Sequence, residues 1–340
     1  MNNDPLPTPV PMRAIVCDAV DITLSSLHLR DVPAPIPLMG QVRVSVHAAS
    51  LNPVDWKLAD GTVPWLNAPQ ILGLDGAGVI DQIGEGVEGW AIGDRVAWHG
   101  NLREQGVFAE YALVPVHVLA RVPESVSFQS AAALPCAGMT AYQALIRKAH
   151  LQPGQTVLVQ GASGAVGGFA VQIANAVGAT VIALARTSQA RRVRALGADH
   201  IFERDDPELK EKVHALTGGY GVDIFLEVSN PQDARKSLDL IRYNGQLLCI
   251  DPMPDLSRVP PYTYAASFHE VALGGAYSSG HLPTQEDFAK MLNSLLSLVA
   301  EGQLNPMMET IIGLEQVPEH LVALREGRLP GKTIVTIREG

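Results

Sequence analysis

VLVQGASGAVGG, residues 157–168, decides how the rest of the chain is read. An apolar, strand-like run meets a cluster of small residues, and AVGGFAVQIANAVG follows with helical spacing of Val166, Ala170, Ile173 and Val177. A helix N-terminus offers free N–H groups and a partial positive charge, which attract phosphate. Side chains in the turn would hold a pyrophosphate away. The spacing Ala162-x-Gly164-x-x-Gly167, with Gly161 just before it, fits a dinucleotide fingerprint whose first glycine is an alanine. Gly164 would admit the pyrophosphate, and Gly167 would let helix and strand pack closely. Ser163, Ala165 and Val166 complete the turn. A tight turn without a ligand is the competing reading. The strand before and the helix after argue against it.

The alternation continues outward. TVIALA (180–185), HIF, VDIFLEV, GQLLCI and a last strand in EVALGGA are separated by helices at TSQARRVRALG, 207–216 and near 231–241. Strands alternating with helices imply a parallel, doubly wound sheet with right-handed crossovers. Ligands bind at the carboxyl ends of such strands, which points to Val228, Ser229, Ile250 and Tyr277. The second strand should end near an adenosine ribose. No acid lies between Val181 and Ala198; Arg186, Ser188, Arg191 and Arg192 stand there instead. A guanidinium pairs with a 2′-phosphate, so the expected cofactor is NADPH. A solvated basic helix start is the alternative.

The first third reads as short strands punctuated by Gly and Pro: RAIVCD (13–18), VRVSVHAA (42–49), GAGVIDQIG, DRVAW and FAEYALV. Residues 1–11 read as a proline-rich flexible lead, 12–135 as a β-barrel domain, 136–277 as the nucleotide-binding domain, and 278–340 as a return to the first. The 340 residues suffice for two cores. With 47% hydrophobic and 18% charged residues the chain is globular rather than disordered. A net charge of −10 disfavours nucleic acid and anionic membranes as partners. There is no apolar run of about eighteen residues and no basic, apolar leader. Cys17, Cys136 and Cys249 are scattered and odd in number, as expected of reduced thiols in the cytoplasm.

These blocks resemble the medium-chain dehydrogenase/reductase superfamily, and within it the zinc-independent quinone oxidoreductase branch. The carriers are LNPVDWK (51–57), GLDGAGVIDQIGEGVEGWAIGDRV (73–96), GVFAEYALVP (106–115), AAALPCAGMTAYQAL (131–145), the glycine turn, and LPGKTIVTI (329–337). The resemblance implies an α/β chain with a GroES-like barrel domain beside a Rossmann domain, and an active site in the cleft. Zinc-dependent members bind the catalytic ion through three positions. Two are occupied here by Asn52 and Leu74, followed by Asp75; the third is still a cysteine, Cys136. A lone thiolate cannot hold catalytic zinc. The four-cysteine lobe is absent too, since WHGNLREQG (98–106) has no cysteine; His99 there reads as a surface loop residue. No metal is expected.

Further roles follow from the resemblance. Asn52 is similar to the active-site asparagine beside the nicotinamide, whose amide bonds ribose or substrate oxygen, though an Asn-Pro turn former is an alternative. Asp55 orients that loop or forms a structural ion pair. Thr140 contacts nicotinamide. Lys332 faces an NADPH phosphate, unless it is an ordinary surface lysine. Trp56, Trp65 and Cys136 wall a substrate pocket, or pack in a core. A homodimer is implied, with VALGGA (271–276) as an apolar edge strand able to pair with a second copy. The implied activity is hydride transfer from NADPH to a small quinone or α,β-unsaturated carbonyl, which needs less polarisation than a plain ketone. A zinc-free dehydrogenase of alcohols or saturated ketones is the second reading, and a non-catalytic NADPH-binding sensor or structural protein the third.

Overall fold

The computed structural model describes residues 10–228, 234–250, 253–257 and 259–338. Residues 1–9 of the expected lead, and Ser229, lie outside that set. The chain divides into two compact units. The first takes the chain through Cys136, then Tyr277–Leu296 and the chain from Met308; the second takes Ala137–Ala276 and Ser297–Met307.

The first unit is a β-structure. β1 (Pro11–Cys17) pairs with β2 (Leu27–Pro33) and β4 (Gln70–Ile71). A second sheet is built on β3 (Gln41–Ser50), β5 (Asp75–Ile83), β6 (Arg95–His99), β7 (Tyr111–Pro115) and β8 (Ala120–Arg121). Strict alternation explains β3: Val42, Val44, Val46 and Ala48 are fully buried, while the residues between them are partly exposed. α1 (Pro53–Ala59) replaces the plain turn that Asn52-Pro53 allows; Pro53 opens it, with its fixed φ already suited to a first turn. α2 (Phe128–Ala132) and α3 (Pro135–Tyr142) follow.

The second unit is a six-stranded, all-parallel sheet. β9 (Thr156–Gln160), β10 (Thr180–Leu184), β11 (His200–Phe202), β12 (Val222–Glu227), β13 (Ile241–Cys249) and β14 (Ser267–Glu270) lie in the order β11-β10-β9-β12-β13-β14. The order reverses between β9 and β12, which opens a crevice at their carboxyl ends. α4 (Ala165–Val177) is buried from Gly167 through Ala174 rather than along one stripe. Its expected face members Val166 and Val177 are only half-buried. The cause is packing on a second side, where Met307 lies against Gly168. α5 (Ala190–Ala195), α6 (Leu209–Leu216) and α7 (Ala234–Leu238) complete the alternation. Val213 of α6 and Leu238 of α7 join Leu158, Phe225 and Leu247 in one apolar cluster.

One expectation is overturned here. VALGGA is not an edge strand. Pairing stops at Glu270; Val271 and Leu273 are buried in irregular chain, and α8 (Gly275–Ser279) begins within the stretch. Val271, Leu273 and Ala276 of the stretch pack in the interior. α9 (Leu282–Ala300) follows. Then β15 (Met308–Gly313), α10 (Val317–Arg325) and β16 (Lys332–Thr336) rejoin the first unit, with β16 between β15 and β3.

Candidate functional site

Strand register builds a buried polar row in the first unit. Ser50 on β3 lies opposite Asp75 on β5, and Asp75 opposite His99 on β6. Ser50 and Asp75 are fully buried, and His99 is 2% exposed. β16 pairs Ile334 with Ser50, so Lys332, two residues earlier, reaches the same end of the sheet. Its ammonium, 1% exposed, donates to Asn52 Oδ1 at 2.8 Å, Leu51 O at 3.2 Å and Asp75 Oδ2 at 3.4 Å. Asn52 Nδ2 and Ser50 Oγ donate to Asp75 Oδ2 at 2.8 and 3.0 Å, and the Cys136 N–H donates to Asp75 Oδ1 at 2.9 Å. Asp75 is therefore the hub.

Two expectations change on this geometry. The Asn52 amide does not face outward; it bridges Lys332 and Asp75 and is 2% exposed. Lys332 is neither a surface lysine nor aimed at a phosphate, because a buried ammonium needs a buried counter-charge and has found Asp75.

Asp55 sits in the first turn of α1. Its Oδ2 accepts the Asn52 N–H at 2.7 Å, and its Oδ1 is buried without a partner. Burial, reinforced by Asp75 nearby, pushes its carboxyl up to about 8, against the Asn52 bond and Lys332. The unfolded value is about 4. Between those values the folded carboxyl keeps a proton that the unfolded chain releases. Stability therefore falls as pH rises through that window. Asp55→Asn is expected to flatten the fall between about pH 5 and 8 in thermal melts. An unchanged slope would show that another group carries it.

His99 is corrected outright: it ends β6 in the interior, not a surface loop. Its Nδ1 is buried without a partner, and its carbonyl accepts the Tyr277 hydroxyl at 2.5 Å. Burial holds His99 below the ordinary histidine range and the Tyr277 phenol above its own. Tyr277 thus belongs to the barrel unit rather than to a strand end of the Rossmann sheet. Cys136 opens α3 half-buried, and burial pushes its thiol up strongly. Trp56 and Trp65 are half-buried, beside Lys57 and Arg103 at 5.8 and 5.1 Å from their ring centroids.

The second unit carries the glycine turn. Gly161 takes φ 63°, so the tight-turn role falls on Gly161 and Ala162 is simply buried. A Cβ on Gly167 would lie 2.3 Å from Gly161 O. Gly164 differs: it is exposed, has φ −81°, and a Cβ would meet only Gly161 O, at 3.3 Å. The fold alone does not demand a glycine there. Open space over an α4 N-terminus that has no side-chain cap is the cradle an anion needs. Ser163, Ala165 and Val166 line it, half-exposed. Beyond β10, Arg186 and Ser188 are exposed on a short 3₁₀ turn. Val228 follows β12 and gives its N–H to Gln160 Oε1 at 3.3 Å; Ile250 follows β13. Thr140 is buried on α3.

Sequence reasoning missed Glu203. Its Oε1 accepts the Thr187 N–H at 2.8 Å and hydroxyl at 2.6 Å. It comes from the end of β11, so the acid missing from the β10 segment is supplied across the sheet and fixes the turn that carries Arg186. Gln160 and Glu227, buried at the β9 and β12 ends, were also missed.

Residues 39–124 match the family model of the alcohol dehydrogenase GroES-like domain, and residues 165–297 that of the zinc-binding dehydrogenase. The human quinone oxidoreductase is 32% identical over 317 residues, covering 92% of this chain and 94% of its own. An alcohol dehydrogenase superfamily structure from Novosphingobium aromaticivorans superposes with TM-score 0.87 at 28% identity, covering 96% of this chain and all of its own. The CurK enoyl reductase structure reaches 0.83 at 25% identity, covering 96% of this chain and 99% of its own. A Rossmann sheet, a GroES-like barrel and these likenesses lead to one conclusion: the chain belongs to the medium-chain dehydrogenase/reductase family, as a quinone oxidoreductase-like member.

Proposed function

We propose that this oxidoreductase uses NADPH to reduce quinones or α,β-unsaturated carbonyls, and does so without zinc. The observation that carries the zinc-free reading is the barrel cluster. Asn52 and Leu74 replace two metal-binding positions, and Lys332 already balances Asp75. The donor set therefore does not fit the family's zinc, and no step is routed through a metal. The dinucleotide fits better, because Gly164 leaves a cradle that no packing requirement explains.

When bound, the nicotinamide supplies a hydride. The α4 N-terminus and Gly164 would hold the pyrophosphate, and Arg186 and Ser188 the 2′-phosphate. Val228 and Ile250, at strand carboxyl ends, would bound the adenosine, and Thr140 the nicotinamide. In the barrel, Lys332 and Asp75 fix Asn52, and Asp55 keeps its proton at neutral pH. A conjugated acceptor spreads the incoming charge over its own π-system, so hydrogen bonds suffice. One hydride and one proton, the latter from water, give the hydroquinone or the saturated carbonyl. A panel of a quinone, an enone and cyclohexanone tests the reading. Cyclohexanone turned over faster than both conjugated substrates would favour the ketone dehydrogenase instead.

Arg186 is exposed, and no ion pair engages it among the described residues. We therefore expect NADPH to bind at least about tenfold more tightly than NADH, since charge-assisted bonds contribute about 1.5–3 kcal/mol. Arg186→Ala should remove most of that preference and leave NADH affinity unchanged. Equal affinities in the unaltered protein, measured by fluorescence titration, would refute NADPH selectivity.

A further inference from the structure

We propose that Lys332 is the resident cation of a latent metal site made by Asp75, His99 and Cys136, and that its charge keeps a divalent ion out. The three residues come from separate elements: the start of β5, the end of β6 and the start of α3. Each offers one donor atom, and these atoms all lie within 4.8 Å of one another. A carboxylate oxygen, an imidazole nitrogen and a thiolate sulfur suit zinc or cobalt(II) in tetrahedral geometry, with a fourth position left for water. His99 is almost wholly buried, and its Nδ1 has no partner. Of the family's three zinc positions this set keeps only Cys136, since Asn52 and Leu74 hold the other two; Asp75 and His99 are the added donors.

What stands against a metal is charge. The Lys332 ammonium lies 3.4 Å from Asp75 Oδ2, with both side chains buried. A dication beside it would meet that positive charge across a few ångströms of low-dielectric interior. Removing the ammonium leaves Asp75 buried and uncompensated, where a metal ion would restore the balance.

Cobalt(II) titration of the full-length protein, stripped with chelator, tests this without reference to turnover. The unaltered protein is expected to take up no stoichiometric cobalt. Lys332→Ala should bind one ion per chain, at least roughly a hundredfold more tightly, since the repulsion removed is close-range and buried. It should show thiolate-to-cobalt charge-transfer absorption in the near ultraviolet. Cys136→Ser in that background should abolish the band. Lys332→Gln, neutral and of similar length, should bind like Lys332→Ala. Cobalt uptake by the unaltered protein as tight as that of the variants, or uptake by neither, would overturn the proposal. If both variants unfold, cobalt present during refolding must restore the fold; failure to do so also counts against it.

Discussion

Gly167→Val is expected to abolish dinucleotide binding and to destabilise the Rossmann unit by more than about 3 kcal/mol, the upper range for overpacking. The reason is what the new Cβ would meet: Gly161 O at 2.3 Å, Gly161 C at 2.7 Å and Ala162 Cα at 2.8 Å. All three are backbone atoms of the turn, so no side chain can swing away. Relief requires α4 to lift from β9, which takes the helix N-terminus away from the phosphate position. Gly164→Val makes the contrast. It has an ordinary φ and one contact, at 3.3 Å, that must yield slightly. It should fold with a melting temperature within about 2 °C of the parent, the equivalent of less than about 1 kcal/mol. Its NADPH affinity should still fall at least about thirtyfold, because the side chain fills the cradle. A Gly164→Val protein that binds NADPH normally would remove the cradle from the site. A Gly167→Val protein with parental stability would show that the helix contact is softer than drawn.

The sequence made the parallel, doubly wound sheet legible because local signals repeat. Each strand of 156–250 is a short apolar run bounded by turn residues, and the helices between them leave a parallel crossover as the simple solution. The position of the glycine turn was equally plain, although the left-handed residue is Gly161 and not the motif's first place. Illegible were the features that depend on which strand lies beside which. His99 looks like loop because Gly100 and Asn101 follow it; only its pairing with Asp75 buries it. Lys332 looks like a surface lysine because lysine usually is one. Yet β16 lies inside the sheet, and its register delivers the ammonium to Asp75. Glu203 is seventeen residues beyond Arg186 in number, and next to Thr187 only because β10 and β11 are parallel neighbours. VALGGA reads as strand from its apolar residues, but burial outside a sheet gives the same composition. In each case a tertiary partner, not the local pattern, sets the outcome.

The largest stability effect in the barrel is expected at Asp75, and it is expected to be asymmetric. Removing either member of a buried ion pair commonly costs about 3–5 kcal/mol, because the other charge is left without a partner. Lys332→Met should fall in that range. It strips Asp75 of one donor, but Ser50 Oγ, Asn52 Nδ2 and the Cys136 N–H remain on the carboxylate. Asp75→Leu removes the acceptor for all four. It leaves a buried ammonium with only Asn52 Oδ1 and Leu51 O, and three further donors with a lost bond, each costing about 1–3 kcal/mol when unsatisfied. Asp75→Leu should therefore be the more damaging, by at least about 2 kcal/mol. Adding Lys332→Met to Asp75→Leu should recover the part due to the stranded ammonium and leave the orphaned donors uncorrected. Urea unfolding of the two single variants and the double variant measures these differences. A double variant within about 1 kcal/mol of the parent would mean that the ion pair is a replaceable contact and that Asp75 is not the hub. Equal losses for the two single variants would assign the stabilisation to the charge pair alone and none of it to the hydrogen bonds that converge on the carboxylate.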